Sequence, residues 1–222
     1  MTLPSIQLLH APDGFVSAPI AIAMWVGTIA VVAYAVRRTN RHLDDRAVPL
    51  LGVMAAFIFA AQMFNFPVVG GTSGHLLGGV LAAVMLGPWA GTLVMTAVVA
   101  VQALLFQDGG LVIMGANIFN MGIVGTLGGY AVYRAIARLL GGEERGRLPA
   151  AAIAAWMSVV AGSVAMALQL GASDVVPLEL ALPAMVGVHA LIGIGEALIT
   201  VAALAFIGVT RADLFRLRDA PA

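Results

Sequence analysis

The sequence predicts an all-α integral membrane protein, a seven-transmembrane-helix bundle with its N-terminus outside and its C-terminus cytoplasmic. Three observations carry this. Of 222 residues, 61% are hydrophobic and only 10% are charged, with a mean hydropathy of +1.02. A soluble domain, which must cover its core with polar surface, is excluded by that composition. The apolar residues also run in blocks near the length that crosses a bilayer, roughly 20 residues of helix with every backbone hydrogen bond closed internally. Finally, lysine is absent, and the arginines fall in three clusters: Arg37, Arg38, Arg41 and Arg46; Arg134, Arg138, Arg145 and Arg147; and Arg211, Arg216 and Arg218.

Candidate spans lie at about 15–36, 48–64, 75–86, 90–106, 115–136, 149–170 and 183–209. The first is preceded by the polar "HAPDG" and ends at the first arginines. Span three is short and stops at Gly87-Pro88; parity retains it. If every arginine cluster is cytoplasmic, an even number of crossings separates each pair of clusters. Four fit between Val48 and Tyr133, two fit between Pro149 and Thr210, and one precedes Arg37. The expected organisation is an extracytoplasmic segment over 1–14, a seven-helix domain over 15–210 and a cytoplasmic tail over 211–222. A cleavable signal peptide is not expected, because the residues before Phe15 lack a basic region and "HAPDG" interrupts any apolar core. Repeats and heptads are not evident.

This topology gathers His10, Asp13, the loop from Asn65 to His75, "QDGG" at Gln107–Gly110 and Asn117 at the outer face. Near-membrane polar residues are costly and are functional candidates. With no cysteine, a metal must be held by nitrogen, oxygen or thioether sulfur. Two histidines on one face, His10 and His75, favour a late first-row ion, because imidazole suits nickel, cobalt, copper and zinc. His75 also has a structural reading as the start of a helix capped by Thr72 or Ser73. Asp108 is sufficiently explained by an Asp-Gly turn. Asn117 and Asn120 cap or cross-link helices, or Asn117 holds a ligand imidazole in one tautomer. His189 and Glu196 share a helical face in the last span and read as a buried pair. The methionines read as packing.

"HAPDGF" at His10–Phe15, "GGTSGHLLGGVLAAVMLGPWAG" at Gly70–Gly91, "QALLFQDGG" at Gln102–Gly110, "GANIFNMGIVG" at Gly115–Gly125 and "HALIGIGEALIT" at His189–Thr200 together resemble the CbiM/NikM family. These are substrate-binding membrane components of energy-coupling-factor transporters for cobalt and nickel. The resemblance implies a seven-helix bundle whose N-terminal segment dips into the outer face. It also implies a near-planar nitrogen site made by a terminal amine, the adjoining histidine amide nitrogen, its ring nitrogen and a second imidazole. By motif position the histidines are His10 and His75, and Ser73 and Asn117 would support them from behind. The amine belongs to residue 9. Leu9 is therefore expected to be the true start, a leucine-type codon read as methionine. Amine, amide and ring nitrogens of adjacent residues close five- and six-membered chelate rings, a geometry suited to nickel or copper. Cobalt is slightly preferred, because the chain resembles the form paired with a cobalamin pathway.

Co2+ or Ni2+ is thus expected as transported substrate, with no bound nucleotide, because a phosphate-binding loop needs a lysine that this chain lacks. The implied partners are an energy-coupling transmembrane scaffold, two ATP-binding subunits and a small accessory membrane subunit. Membrane lipid is the surrounding medium, and no nucleic acid is expected. An alternative from another class is a rhomboid-like intramembrane serine hydrolase, with Ser73 of "GTSG" as nucleophile and His189 as base. A passive channel is disfavoured, since no charged ring of the kind that selects cations is present.

Overall fold

The computed structural model describes residues 10–42, 48–63, 66–68 and 72–217. Its helices are α1 (Ala18–His42), α2 (Val48–Gln62), α3 (Gly79–Leu86), α4 (Pro88–Phe106) and α5 (Met114–Ile118), then α6 (Gly129–Leu139), α7 (Glu143–Ala172), α8 (Leu178–Thr210) and α9 (Leu214–Leu217). Between α5 and α6 the rod continues as a π-helix over Phe119–Gly128. Helix thus occupies each of the seven expected regions, and four helices among the described residues are long and apolar enough to cross a membrane.

The third region departs from expectation. Only Gly79–Leu86 is helical, eight residues rising about 12 Å, well short of the roughly 30 Å hydrocarbon core. A small antiparallel hairpin precedes it, β1 (Phe66–Val68) against β2 (Thr72–Gly74), paired Phe66 to Gly74 and Val68 to Thr72. Residues 75–78 are irregular, which is tolerated at membrane depth only where protein rather than lipid surrounds the backbone. Every residue of α3 is buried. Gly91 of α4 makes that burial possible, since a Cβ there would meet the backbone of Ala82 and Ala83 at 2.9–3.1 Å. With no water to drive association inside a bilayer, such close backbone approach supplies the packing.

Helices α7 and α8 extend ahead of the sixth and seventh expected spans, beginning at Glu143 and Leu178, so that Pro149 and Pro183 lie inside them. The acidic residues Glu143, Glu144 and Glu179 occupy the first turns, where the helix dipole favours negative charge. Each proline lies in the second turn, past the positions whose N–H is unpaired anyway, and so removes one backbone hydrogen bond from its helix.

The bundle has two chemically distinct ends. At one, His10, Ala11 and Val16 lie beside Ile113, Ala116, Met166, Leu170 and Met185. At the other, Arg134 pairs with Glu143 at 2.7 Å and Arg147 lies over the Phe215 ring at 3.9 Å. Arg134 of α6, Glu143 and Arg147 at the start of α7 and Phe215 of α9 thus share that second end. Arg46 and Arg218 lie outside the described residues.

Candidate metal centre

The segment after residue 9 is a bent, non-helical strap held to the loop and helix after α4 by one backbone pair and the side chains of Asp13, Asp108 and Asn117. His10 N–H donates to Asp108 Oδ1 at 3.2 Å, and the Ala11 carbonyl accepts from Gly110 N–H at 3.0 Å and from Asn117 Nδ2 at 3.1 Å. Asp13 completes the clamp, accepting from Leu111 N–H and Ile113 N–H, both at 3.1 Å. Glycine is required in this loop. Gly109 has φ +98°, where a side chain would be strained, and a Cβ would come 2.8 Å from that of His10; at Gly110 any side chain would run into Asp13.

His75 arrives from the other direction, directly after β2. Its Nδ1 donates to the Leu76 carbonyl at 2.8 Å. That bond defines the neutral tautomer, leaving the lone pair on Nε2. The next residues are fixed from inside the bundle: Gln62 Nε2 donates to the Leu77 carbonyl at 2.8 Å, and Gln102 Nε2 donates to Gln62 Oε1 at 2.9 Å. Glu196 accepts from Leu77 N–H at 2.6 Å and from Gly78 N–H at 2.8 Å. Gly78 turns the chain into α3 with φ +80°, with Ile58 packed too tightly for a side chain.

The two rings meet, with centroids 5.3 Å apart and planes inclined at 53°. His10 is 6% exposed. Both of its ring nitrogens are buried and form no hydrogen bond, although Nδ1 lies 3.4 Å from Asp108 Oδ2. Buried polar atoms are rarely left this way without a ligand to satisfy them. Among the described residues, no three side chains of histidine, aspartate or glutamate are grouped to hold an ion. Two imidazoles alone leave coordination positions of a divalent ion for other donors.

Several expectations change. The structure brings His10 and His75 together. Leu9 lies outside the described residues, and of Ser73 only the backbone, in β2, is described. Neither Thr72 nor Ser73 caps α3; Gly78 is the N-cap residue, because the chain stays non-helical for four residues after Gly74. Asn117 Nδ2 donates to the carbonyl of Ala11, the residue after His10. Asp108 is more than a turn residue, since its carboxylate takes the His10 amide hydrogen. His189 and Glu196 are not a bonded pair: His189 Nδ1 is bonded to Met185 O in its own helix at 2.7 Å, one turn back, while Glu196 reaches the loop before α3. The serine-hydrolase alternative gains no support, as His189 is engaged within α8. Asp108 was visible as the one charge between Val48 and Tyr133 and Asp13 as a polar residue of the outer face with no assigned role, but Gln62 and Gln102 carried no comparable signal.

Apolar helices of membrane-crossing length, with two imidazoles brought together at one end, define a multi-pass membrane protein. A family model described as the cobalt uptake substrate-specific transmembrane region, CbiM, matches residues 10–214, and the chain belongs to that family. A Haloquadratum walsbyi protein provisionally named as a metal transport protein is 42% identical over 208 residues, covering 93% of each chain. A fused nickel transport protein of Rhodobacter capsulatus is 32% identical over 228 residues, covering 96% of this chain and 66% of its own. A solved structure titled as a transition metal transporter superposes with a TM-score of 0.81 at 32% identity, covering 94% of this chain and 99% of that one. The protein is thus a multi-pass cell-membrane component of cobalt or nickel transport, with the metal as its substrate, and a transporter rather than an enzyme.

Proposed function

We propose that this chain captures cobalt or nickel, with a slight preference for cobalt, between His10 and His75 at the outer mouth of the bundle. Partner subunits would then drive uptake by ATP hydrolysis, as in energy-coupling-factor importers. The 5.3 Å approach of the two rings is the observation that carries the site. His75 Nε2 and a ring nitrogen of His10 are two donors, the His10 amide nitrogen is a third once it has lost the proton it donates to Asp108, and an amine at residue 9 is the fourth. Asp108 and Asn117 hold the strap in place, and Ser73 lies two residues before His75 in the same loop. Clustering of the arginines at the far end supports an outward-facing site by the positive-inside rule. It also supports an outer segment over 1–14, the membrane domain over 15–210 and an inner tail over 211–222.

A scaffold membrane subunit, two ATPases and a small accessory membrane subunit are the partners this reading requires, because the lysine-free chain has no phosphate-binding loop of its own. The test is metal analysis of the purified chain with and without His75→Ala. One ion, cobalt or nickel, is expected to copurify and to disappear in the variant; equal metal content in both would end the assignment. Intact-mass measurement reads the start of the chain, and residues 1–8 found on the mature protein would remove the residue 9 amine from the ligand set.

A further inference from the structure

Glu196 is 1% exposed, deep in α8, and far along the chain from the histidines. Both its oxygens accept backbone N–H bonds, from Leu77 and Gly78. This arrangement suits the ionised carboxylate, which is an acceptor only. The Leu77 N–H belongs to the same planar peptide unit as the Leu76 carbonyl. That carbonyl is the one to which His75 Nδ1 donates. Carboxylate, peptide unit and imidazole therefore form one line of hydrogen bonds that reaches the His75 ring at Nδ1.

We propose that Glu196 is a positioning residue for the metal-binding imidazole, acting on His75 through the Leu76–Leu77 peptide unit. This rests on the reading of His75 as a metal ligand. A carboxylate bonded to the amide hydrogen fixes the plane of that peptide and polarises its carbonyl, since linked hydrogen bonds strengthen one another. The stronger acceptor holds His75 in the Nδ1–H tautomer and makes Nε2 a better donor to a cation. Metal-ligating histidines usually give their other N–H directly to a carboxylate or carbonyl; here a carboxylate stands behind the carbonyl. Gln62, itself held by Gln102, grips the Leu77 carbonyl from the opposite side, so the segment is fixed from α2, α4 and α8 together.

The test uses the full-length chain purified in detergent, titrated with Co2+ or Ni2+ alone. The ring 15N shifts of His75 are recorded in the metal-free state. Glu196→Gln keeps the shape but replaces one acceptor oxygen with a donor that faces a backbone N–H. It is expected to weaken metal binding on the order of 10-fold or more and to convert His75 from one tautomer to a mixture. Glu196→Asp should fall between the two. Wild-type affinity with an unchanged His75 tautomer in Glu196→Gln would overturn the proposal. So would lost affinity with the tautomer unchanged, because that is the signature of a merely structural role. Should Glu196→Gln not fold, Glu196→Asp decides by the same two readouts. His75→Ala separates the levels: if it retains metal, the ligand assignment fails, whereas if it loses metal while both Glu196 variants behave as wild type, only the role of Glu196 fails.

Discussion

The two histidines of the candidate site are held in opposite ways. His10 sits on a strap docked at the bundle end by backbone bonds to a glycine-rich loop, with Asp13 and Asp108 as the clamps. His75 sits on a segment tied from inside, by Glu196, Gln62 and Gln102, each 0–1% exposed. One ligand is attached to the fold and the other is built into it. Disturbing the strap should therefore change metal affinity with little change in stability, while disturbing the interior anchors should cost stability as well.

The largest effects fall on the rings. His75→Ala and His10→Ala should each weaken binding by roughly 100-fold or more, about 2.7 kcal/mol, as measured by calorimetric titration; a tenfold or smaller loss for either would break the pairing. Gly110→Val comes next. Its side chain must displace Asp13, so binding should weaken by roughly 30-fold, about 2 kcal/mol, while thermal unfolding stays near wild type. Asp13→Ala strands the Leu111 and Ile113 amides, and lost partners cost about 1–3 kcal/mol each where buried. Partial hydration at this bundle end should hold the loss near tenfold, again without a matching fall in melting temperature. Gln62→Leu sharpens the contrast from the other side: it orphans the Leu77 carbonyl and should lower stability by about 1–3 kcal/mol in denaturant or thermal unfolding. A Gln62→Leu protein as stable as wild type would show that the interior anchors are dispensable. Asn117→Ala is the smallest, about 1 kcal/mol or fivefold in affinity, because Gly110 N–H still holds the Ala11 carbonyl.

Much of the fold was legible because bilayer physics is coarse. Apolar block lengths and arginine placement located helix in all seven regions. The eight-residue α3 was not foreseen, since an apolar stretch reads alike whether it faces lipid or is wrapped by protein; only the tertiary fact that Gly91 admits Ala82 and Ala83 distinguishes the two. The helix starts at Glu143 and Leu178 were not read, because acidic first turns carry α7 and α8 beyond their apolar spans. At the site, His10 and His75 stood out as imidazoles against an apolar background. Asp108 was seen but undervalued, because an Asp-Gly turn explained it locally, and its partner is 98 residues away. Glu196 was noticed for its spacing from His189, yet its real partners are backbone amides, which leave no trace in a sequence pattern.

The wholly enclosed α3 has a practical corollary. Protein encloses every residue from Leu76 to Leu86, the stretch that follows His75, so membrane thickness and acyl composition act on that ligand chiefly through the surrounding rods. Ion capture should consequently survive transfer from micelles to bilayers of differing width. Long, lipid-facing α1, by contrast, is where a change of membrane would first be felt.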